Sequence, residues 1–201
     1  MTSKKAIRKE IAQLVKAMDP QEKKVSDAKI LHQVLGHPLF QEAKVLFCFV
    51  STEREINTHP IIQEALAQKK IVCVPKCFAY GVMKAYAIQS MDDLEPGKYG
   101  ILEPKMETEI TPEKIDLAII PCCAATTDGK RLGYGGGFYD RYLANTSFKK
   151  MVLCRQICTK ADLPTEATDI KMDLLVQEDA CFPMMNCQIK CNTMYVSLFR
   201  S

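Results

Sequence analysis

The sequence predicts a single α/β domain, three-layer α/β/α, with a largely parallel or mixed central sheet, and three observations carry that prediction. Residues 45–50 (Val-Leu-Phe-Cys-Phe-Val), 71–75 (Ile-Val-Cys-Val-Pro) and 116–121 (Asp-Leu-Ala-Ile-Ile-Pro) are short, nearly unbroken apolar runs, the pattern of strands buried on both faces. Segments of helical period lie before and between them, and strands alternating with helices require a sheet covered on both sides. With 201 residues, 47% of them hydrophobic and 25% charged, the chain has the length and composition of an ordinary globular domain with one well-filled core.

Taken in order, Ile7, Ile11, Leu14, Val15 and Met18 recur at helical spacing over residues 4–18, with Thr2 or Ser3 available as N-cap. The other face of that helix carries Lys4, Lys5, Arg8, Lys9 and Lys16. Asp19-Pro-Gln-Glu22 reads as a capped start with proline in the first helical position, and Val25, Ala28, Leu31 and Leu35 give a second helix its apolar stripe up to Gly36. Residues 51–57 form the loop leaving the first strand, Thr58 caps a short helix through Ala67, and residues 83–88 add a more amphipathic strand. Residues 103–112 are polar and proline-bearing, as expected of a long surface loop. A glycine-rich loop follows the 116–121 strand and opens into a helix from about Phe138. Residues 151–154 read as a further strand. Beyond Val176 the periodicity weakens, which divides the chain into a domain over residues 1–176 and a C-terminal extension over 177–201, where residues 187–200 alternate partly like a strand.

Composition excludes several classes. The net charge is +3 and no basic stripe follows the first helix, so no nucleic-acid partner is expected. The opening Met1-Thr-Ser-Lys-Lys carries charge instead of an apolar h-region, and no 18-residue uncharged apolar run occurs. A cytoplasmic protein with no membrane partner, acting as a monomer, is the expectation. Ten cysteines are present, but Cys48, Cys73 and Cys154 sit inside apolar runs, where a free thiol behaves as a small hydrophobe. Reduced thiols are favoured over a disulfide framework. Three C-x-x-x-C pairs, at 73/77, 154/158 and 187/191, raise the alternative of a zinc-binding module. Against it, residues four apart on a strand lie about 13 Å from one another. His32, His37 and His59 are scattered outside the motifs and receive no catalytic part.

The segment most able to carry chemistry runs from Arg131 through Gly133, Tyr134, Gly135, Gly136 and Gly137 into Phe138, Tyr139, Asp140 and Arg141. Glycines there expose backbone N–H groups just before a helix, an arrangement suited to phosphate. Arg131 supplies a permanently charged fork for the same oxygens, and Asp140 an acceptor-only carboxylate of the kind that holds magnesium together with substrate phosphates. The plain alternative is that the glycines only turn the chain sharply between a strand and a helix.

The run Gly129-Lys-Arg-Leu-Gly-Tyr-Gly-Gly-Gly-Phe-Tyr-Asp-Arg-Tyr-Leu143 resembles the signature G-x-R-L-G-x-G-G-G-Y-Y-D-R of the 5-formyltetrahydrofolate cyclo-ligase (methenyltetrahydrofolate synthetase) family. Further matching elements are Lys4 and Arg8 on the first helix, Phe49-Val-Ser-Thr-Glu-Arg-Glu-Ile-Asn-Thr58, Gly100-Ile-Leu-Glu-Pro104 and Asp169-Ile-Lys-Met-Asp173, so the resemblance spans residues 4–176. It implies an ATP- and magnesium-dependent conversion of 5-formyltetrahydrofolate to 5,10-methenyltetrahydrofolate with release of ADP and phosphate. By resemblance, Lys4 or Lys5 and Arg8 contact ATP phosphates, and Arg131 with the stretch Gly133, Tyr134, Gly135, Gly136, Gly137 and Phe138 forms the nucleotide loop. Tyr139 is a substrate-stacking aromatic, Asp140 and Asp169 are magnesium-associated, and Thr52, Glu55 and Asn57 lie on the folate side. Arg131, Tyr139 and Asp140 are the catalytic candidates. The sequence departs from the family pattern at Asn57, at Phe138, at the Pro121-Cys-Cys-Ala-Ala-Thr126 segment and at Thr168. A folate- and nucleotide-binding homologue of weakened activity is the alternative these departures raise.

Overall fold

The computed structural model describes residues 3–97, 100–105 and 108–184. The partly alternating stretch at 187–200 and the 187/191 cysteine pair lie outside them. Helix α1 (Lys4–Ala17) begins where the Ser3 hydroxyl accepts from the Ala6 amide at 3.2 Å, and its Ile7 and Ile11 are buried. Helix α2 (Pro20–Gly36) starts on the Asp19 carboxylate, which accepts from the Gln21 and Glu22 amides at 2.7 and 3.3 Å, with Pro20 in the first turn. The buried face of α2 differs from the expected stripe: Ser26, Ile30 and Val34 are buried, whereas Val25 is 47% exposed and Ala28 is exposed. Polar bonds turn the helix, because Ser26 donates to Glu178 at 2.7 Å and Asp27 pairs with Arg155. A short helix not expected from sequence, α3 (Pro38–Glu42), follows, with His37 Nδ1 accepting from the Leu39 amide at 3.1 Å.

Strands β1 (Val45–Cys48), β2 (Ile71–Cys77), β3 (Met83–Ile88), β4 (Leu94–Pro96), β5 (Leu102–Pro104), β6 (Glu109–Ile110), β7 (Leu117–Ile120), β8 (Ala124–Ala125), β9 (Arg131–Leu132), β10 (Lys149–Leu153), β11 (Leu174–Val176) and β12 (Cys181–Pro183) are joined by α4 (His59–Ala67) and α5 (Phe138–Leu143). Eight of them form one sheet in the order β12-β11-β10-β7-β1-β2-β3-β6. Its centre, β11 to β2, is parallel, in registers such as Val45 opposite Ile71, Leu46 opposite Leu117 and Met151 opposite Ile119; at the margins β3 pairs antiparallel with β2, β6 with β3 and β12 with β11. The sheet is therefore mixed, with a parallel core.

Alternation along the strands sends side chains to two separate cores. Phe47, Cys73, Ala118, Ile120 and Val152 pack on the side of α1 and α5 with Ile7, Ile11 and Leu143. Leu46, Cys48, Val72, Leu117, Ile119, Met151 and Leu153 pack on the side of α2, α3 and α4 with Ile30, Val34, Phe40, Ile61 and Ile62. These are the three layers.

Two local expectations need correction. Thr58 stands at the N-cap of α4 but does not cap it: its hydroxyl donates to the Phe49 carbonyl at 2.7 Å and accepts from the Ser51 amide, while Asn57 Oδ1 accepts from the His59 amide at 3.1 Å. Residues 103–112 are not simply a surface loop, since β5 ends in them, β6 lies within them and Glu103 is buried, its carboxylate accepting from the Cys77 amide at 3.0 Å. Past residue 176 the chain turns back at 177–180 and adds β12 to the sheet edge. Among the described residues no helix is long and apolar enough to cross a membrane.

This layering predicts that Ile119→Ala, at a fully buried position, costs about 2–5 kcal/mol in urea unfolding. Val25→Ala, on the exposed side of α2, should shift stability by less than about 0.5 kcal/mol.

Candidate active site

Strand β1 is flanked by β2 on one side and β7 on the other, so the chain reverses direction across the sheet there, and the loops leaving β1 and β7 diverge. In parallel sheets a ligand crevice opens outside the carboxyl ends of the strands at such a point. The 49–58 loop follows β1, the 121–137 segment follows β7, and Cys154 and Arg155 follow β10.

The 121–137 segment begins as a hairpin that the sequence reading did not anticipate: β8 pairs with β9, setting Ala125 opposite Arg131. This tucks Arg131 inward. Its side chain is 2% exposed; Nη1 donates to the Pro121 carbonyl at 3.2 Å and Nη2 pairs with Asp140 Oδ1 at 2.8 Å. The guanidinium also lies 5.7 Å from the centre of the Tyr139 ring. Thus Arg131 braces the floor of the loop and holds Asp140 and Tyr139 together. Its Nε is buried without a partner.

The glycine loop receives helix α1 from the side. Arg8 Nε donates to the Gly133 carbonyl at 2.8 Å, and Lys4, one turn earlier on the same face, pairs with Asp169 at 2.7 Å and Glu166 at 3.0 Å. Lys5 is exposed on another face, so the lysine turned inward, to Asp169, is Lys4. Gly135 has φ +103°, a backbone conformation that side-chain-bearing residues rarely adopt, and the Arg8 guanidinium lies in van der Waals range of where a Cβ would stand. Asp140 and Asp169 are neighbours, since the Ile170 amide reaches Asp140 Oδ1 at 3.5 Å. Helix α5 has only six residues, with Gly137 in the left-handed region at its start. Its dipole is small, and the loop amides and flanking cations dominate the local field.

A further arginine, not singled out from sequence, clasps the loop from the other side. Arg141 donates from Nε to the Gly81 carbonyl at 3.1 Å and from Nη2 to the Gly136 carbonyl at 2.7 Å, and its guanidinium lies 6.0 Å from the Phe138 ring centre. Gly81, at φ +75°, leaves that guanidinium room: a Cβ there would lie 1.7 Å from Nη2. Arg141 ends the glycine motif, but its partner at 81 carries no local signal.

Across the crevice, the Glu55 carboxylate folds back on Thr52, accepting from the amide and the hydroxyl at 2.9 Å each. Burial raises its pKa above the ordinary glutamate value, against those two hydrogen bonds. Tyr139 packs edge-on to Phe47 at 6.4 Å; burial, and then the nearby Glu55 charge, push its phenol pKa well up, so it stays protonated. Tyr134, whose ring is exposed, donates to the Cys122 carbonyl at 3.2 Å. Asn57 is exposed, and its side chain serves α4.

Among the described residues the cysteines add no preformed metal cage. Burial pushes the Cys73 and Cys158 thiols up to about 12, where the thiolate form that binds metal is scarce. Among the described residues no three His, Cys, Asp or Glu side chains converge on a metal position.

The arrangement is that of an α/β protein with a switch-point crevice: a glycine loop flanked by Lys4, Arg8 and Arg141, two neighbouring carboxylates, and an aromatic wall at Tyr139. A model of the 5-formyltetrahydrofolate cyclo-ligase family matches residues 1–178, and the chain belongs to that family of enzymes. The chain is 26% identical over 199 residues to mouse 5-formyltetrahydrofolate cyclo-ligase, covering 89% of this chain and 95% of that one. With the Haemophilus influenzae 5-formyltetrahydrofolate cyclo-ligase it shares 32% identity over 144 residues, 68% of this chain and 77% of the other. The NMR structure of Aquifex aeolicus 5,10-methenyltetrahydrofolate synthetase superposes with a TM-score of 0.82 at 25% identity, covering 96% of this chain and 98% of that one.

The Lys4–Asp169 pair makes the docking of α1 pH-dependent. Burial opposes ionisation of Asp169, but the hydrogen bonds from Lys4 and the Glu166 amide outweigh it and hold its pKa below the ordinary 3.8. A depressed carboxylate contributes stability that is present above its unfolded value and lost as pH falls through the folded one. Asp169→Asn should therefore destabilise the protein in urea titrations at about pH 7, and the gap to wild type should close toward about pH 3.

Proposed function

We propose that the crevice converts 5-formyltetrahydrofolate to 5,10-methenyltetrahydrofolate at the expense of ATP, in the cytoplasm. The observation that carries this reading is that α1 brings Arg8 onto the Gly133 carbonyl of the glycine loop and Lys4 onto Asp169, the neighbour of Asp140, in a member of this family. Loop amides and the Lys4, Arg8 and Arg141 cations suit the triphosphate of ATP. The crevice wall formed by Tyr139, with Thr52, Glu55 and Asn57 on the β1 loop, suits the folate.

The amide-like formyl oxygen is a poor leaving group. Transfer of the γ-phosphoryl group to it yields ADP and turns that oxygen into part of a phosphate. The neighbouring anilino nitrogen then adds to the formyl carbon and loses its proton, the carbon–oxygen bond breaks, and inorganic phosphate leaves with the ring closed. No covalent enzyme intermediate is needed; positioning and charge neutralisation do the work.

Asp140 and Asp169 fit a magnesium ion that draws most of its ligands from phosphate and water. They are adjacent, partly exposed carboxylates, and among the described residues no third His, Cys, Asp or Glu converges with them on a metal position. Bound there, magnesium would neutralise phosphate charge. Arg131 holds Asp140 in place, and Lys4 holds Asp169 until ligand arrives.

The test is absorbance at the methenyltetrahydrofolate band after mixing protein, 5-formyltetrahydrofolate, magnesium and ATP. ATP-dependent product is expected, with kcat/KM lowered at least about 100-fold in Asp140→Asn. Folate binding without product in the wild type would identify a homologue of weakened activity instead. Lys4→Met should raise the KM for ATP about tenfold, whereas Lys5→Met should leave it nearly unchanged.

A further inference from the structure

We propose that the partly buried Arg155–Asp27 ion pair is a positioning device for the turn from Glu55 to Asn57 and so sets the affinity for the reduced folate, an inference that rests on the folate-side reading of that turn. Arg155 follows β10 directly. Its backbone is held by a single 3-10 turn, its carbonyl accepting from the Cys158 amide at 2.8 Å. Its side chain is 4% exposed, and Nη2 reaches both Asp27 Oδ1, at 2.5 Å, and the Glu55 carbonyl, at 3.2 Å. Asp27 comes from α2, 128 residues away in the chain, and accepts in turn from the backbone N–H of Asn57. One ion pair thus grips the turn at two points: the arginine takes the carbonyl of Glu55 and the aspartate takes the amide of Asn57.

That grip adds direction to an apolar anchor. Ile56, between the two gripped residues, is buried in the core on the α2 side, and Thr58 bonds to Phe49 and Ser51 at the base of the loop, while the ion pair fixes the Glu55 carbonyl and the Asn57 amide on either side of Ile56. Orientation matters because the Glu55 carboxylate lies close enough to Tyr139 for its charge to act on the phenol across the crevice.

A role in stability alone accounts poorly for the pair. Two charges withdrawn from water recover their desolvation cost only with good geometry, and a well-packed apolar pair is often as stable. Helix α2 already has Ile30, Val34 and the Ser26–Glu178 bond to seat it. Neither Asp27 nor Arg155 belongs to the residues implied by the family motif. The partnership is visible only in the folded chain.

The experiment compares wild type, Arg155→Met, Arg155→Lys and the double variant Asp27→Leu/Arg155→Met. For each, the Kd for 5-formyltetrahydrofolate is measured by calorimetry, the KM values for folate and ATP in the absorbance assay, and stability in urea. Arg155→Met should weaken folate binding about tenfold or more while the KM for ATP moves less than about twofold. The double variant leaves no orphan charge, so it should regain most of the stability lost in the single variant yet keep the weak folate binding. Lysine at 155 still meets Asp27 but cannot also reach Glu55, and should fall between. Unchanged folate affinity in the double variant, or folate and ATP constants that rise together, would overturn the proposal. A wild type that binds folate without turnover would sink the proposed reaction and leave this comparison decisive; a wild type that binds no folate would sink both.

Discussion

Burial of β1, β7 and β10 on both faces constrains the rest of the molecule. Their side chains alternate between two cores, so no polar group can be presented from the middle of these strands without facing hydrocarbon. Chemistry is pushed to the loops at the strand ends. The parallel core puts the ends of β1, β7 and β10 on the same edge, and the divergence of the chain between β1 and β7 opens a crevice there. The glycine loop, the Glu55 turn and Arg155 all occupy that edge for this reason.

The loops are anchored by a few buried apolar residues, such as Leu132 and Ile56, and their polar parts are held by arginines. Arg131 supports the glycine segment from below, Arg8 meets it from α1, Arg141 ties it to Gly81, and Arg155 ties the opposite loop to α2. A guanidinium offers several donors in a rigid plane and can bond two carbonyls, or a carbonyl and a carboxylate, at once. Four such braces give a crevice of polar loops a defined geometry while leaving backbone amides and carboxylates available to a ligand. Two glycines serve the same end, since Gly81 clears the space that the Arg141 guanidinium occupies and Gly135 adopts the positive φ of the loop beside Arg8.

Where periodicity was read locally, it succeeded in proportion to how unambiguous the local pattern was. The runs at 45–50, 71–75 and 116–121 became strands because an apolar run with no polar face can be satisfied only between two layers. On α2 the stripe of Val25, Ala28, Leu31 and Leu35 competed with that of Ile30 and Val34, and the choice went to the face from which Ser26 and Asp27 reach Glu178 and Arg155. Strands of two or three residues, such as β8, β9 and β12, carry too few side chains for a period and exist because a partner backbone is nearby.

The sequence by itself determined the class of fold, the position of the glycine loop, the cationic first helix and the family motif, because each is written in residues close together in the chain. Tertiary structure decided which of two adjacent lysines turns to Asp169, that Arg131 lies beneath the loop and not across it, that Asn57 caps a helix, and that Arg155 reaches Asp27 and Glu55. Those outcomes depend on the packing of distant segments, and a contact across 128 residues leaves no periodic trace in either partner.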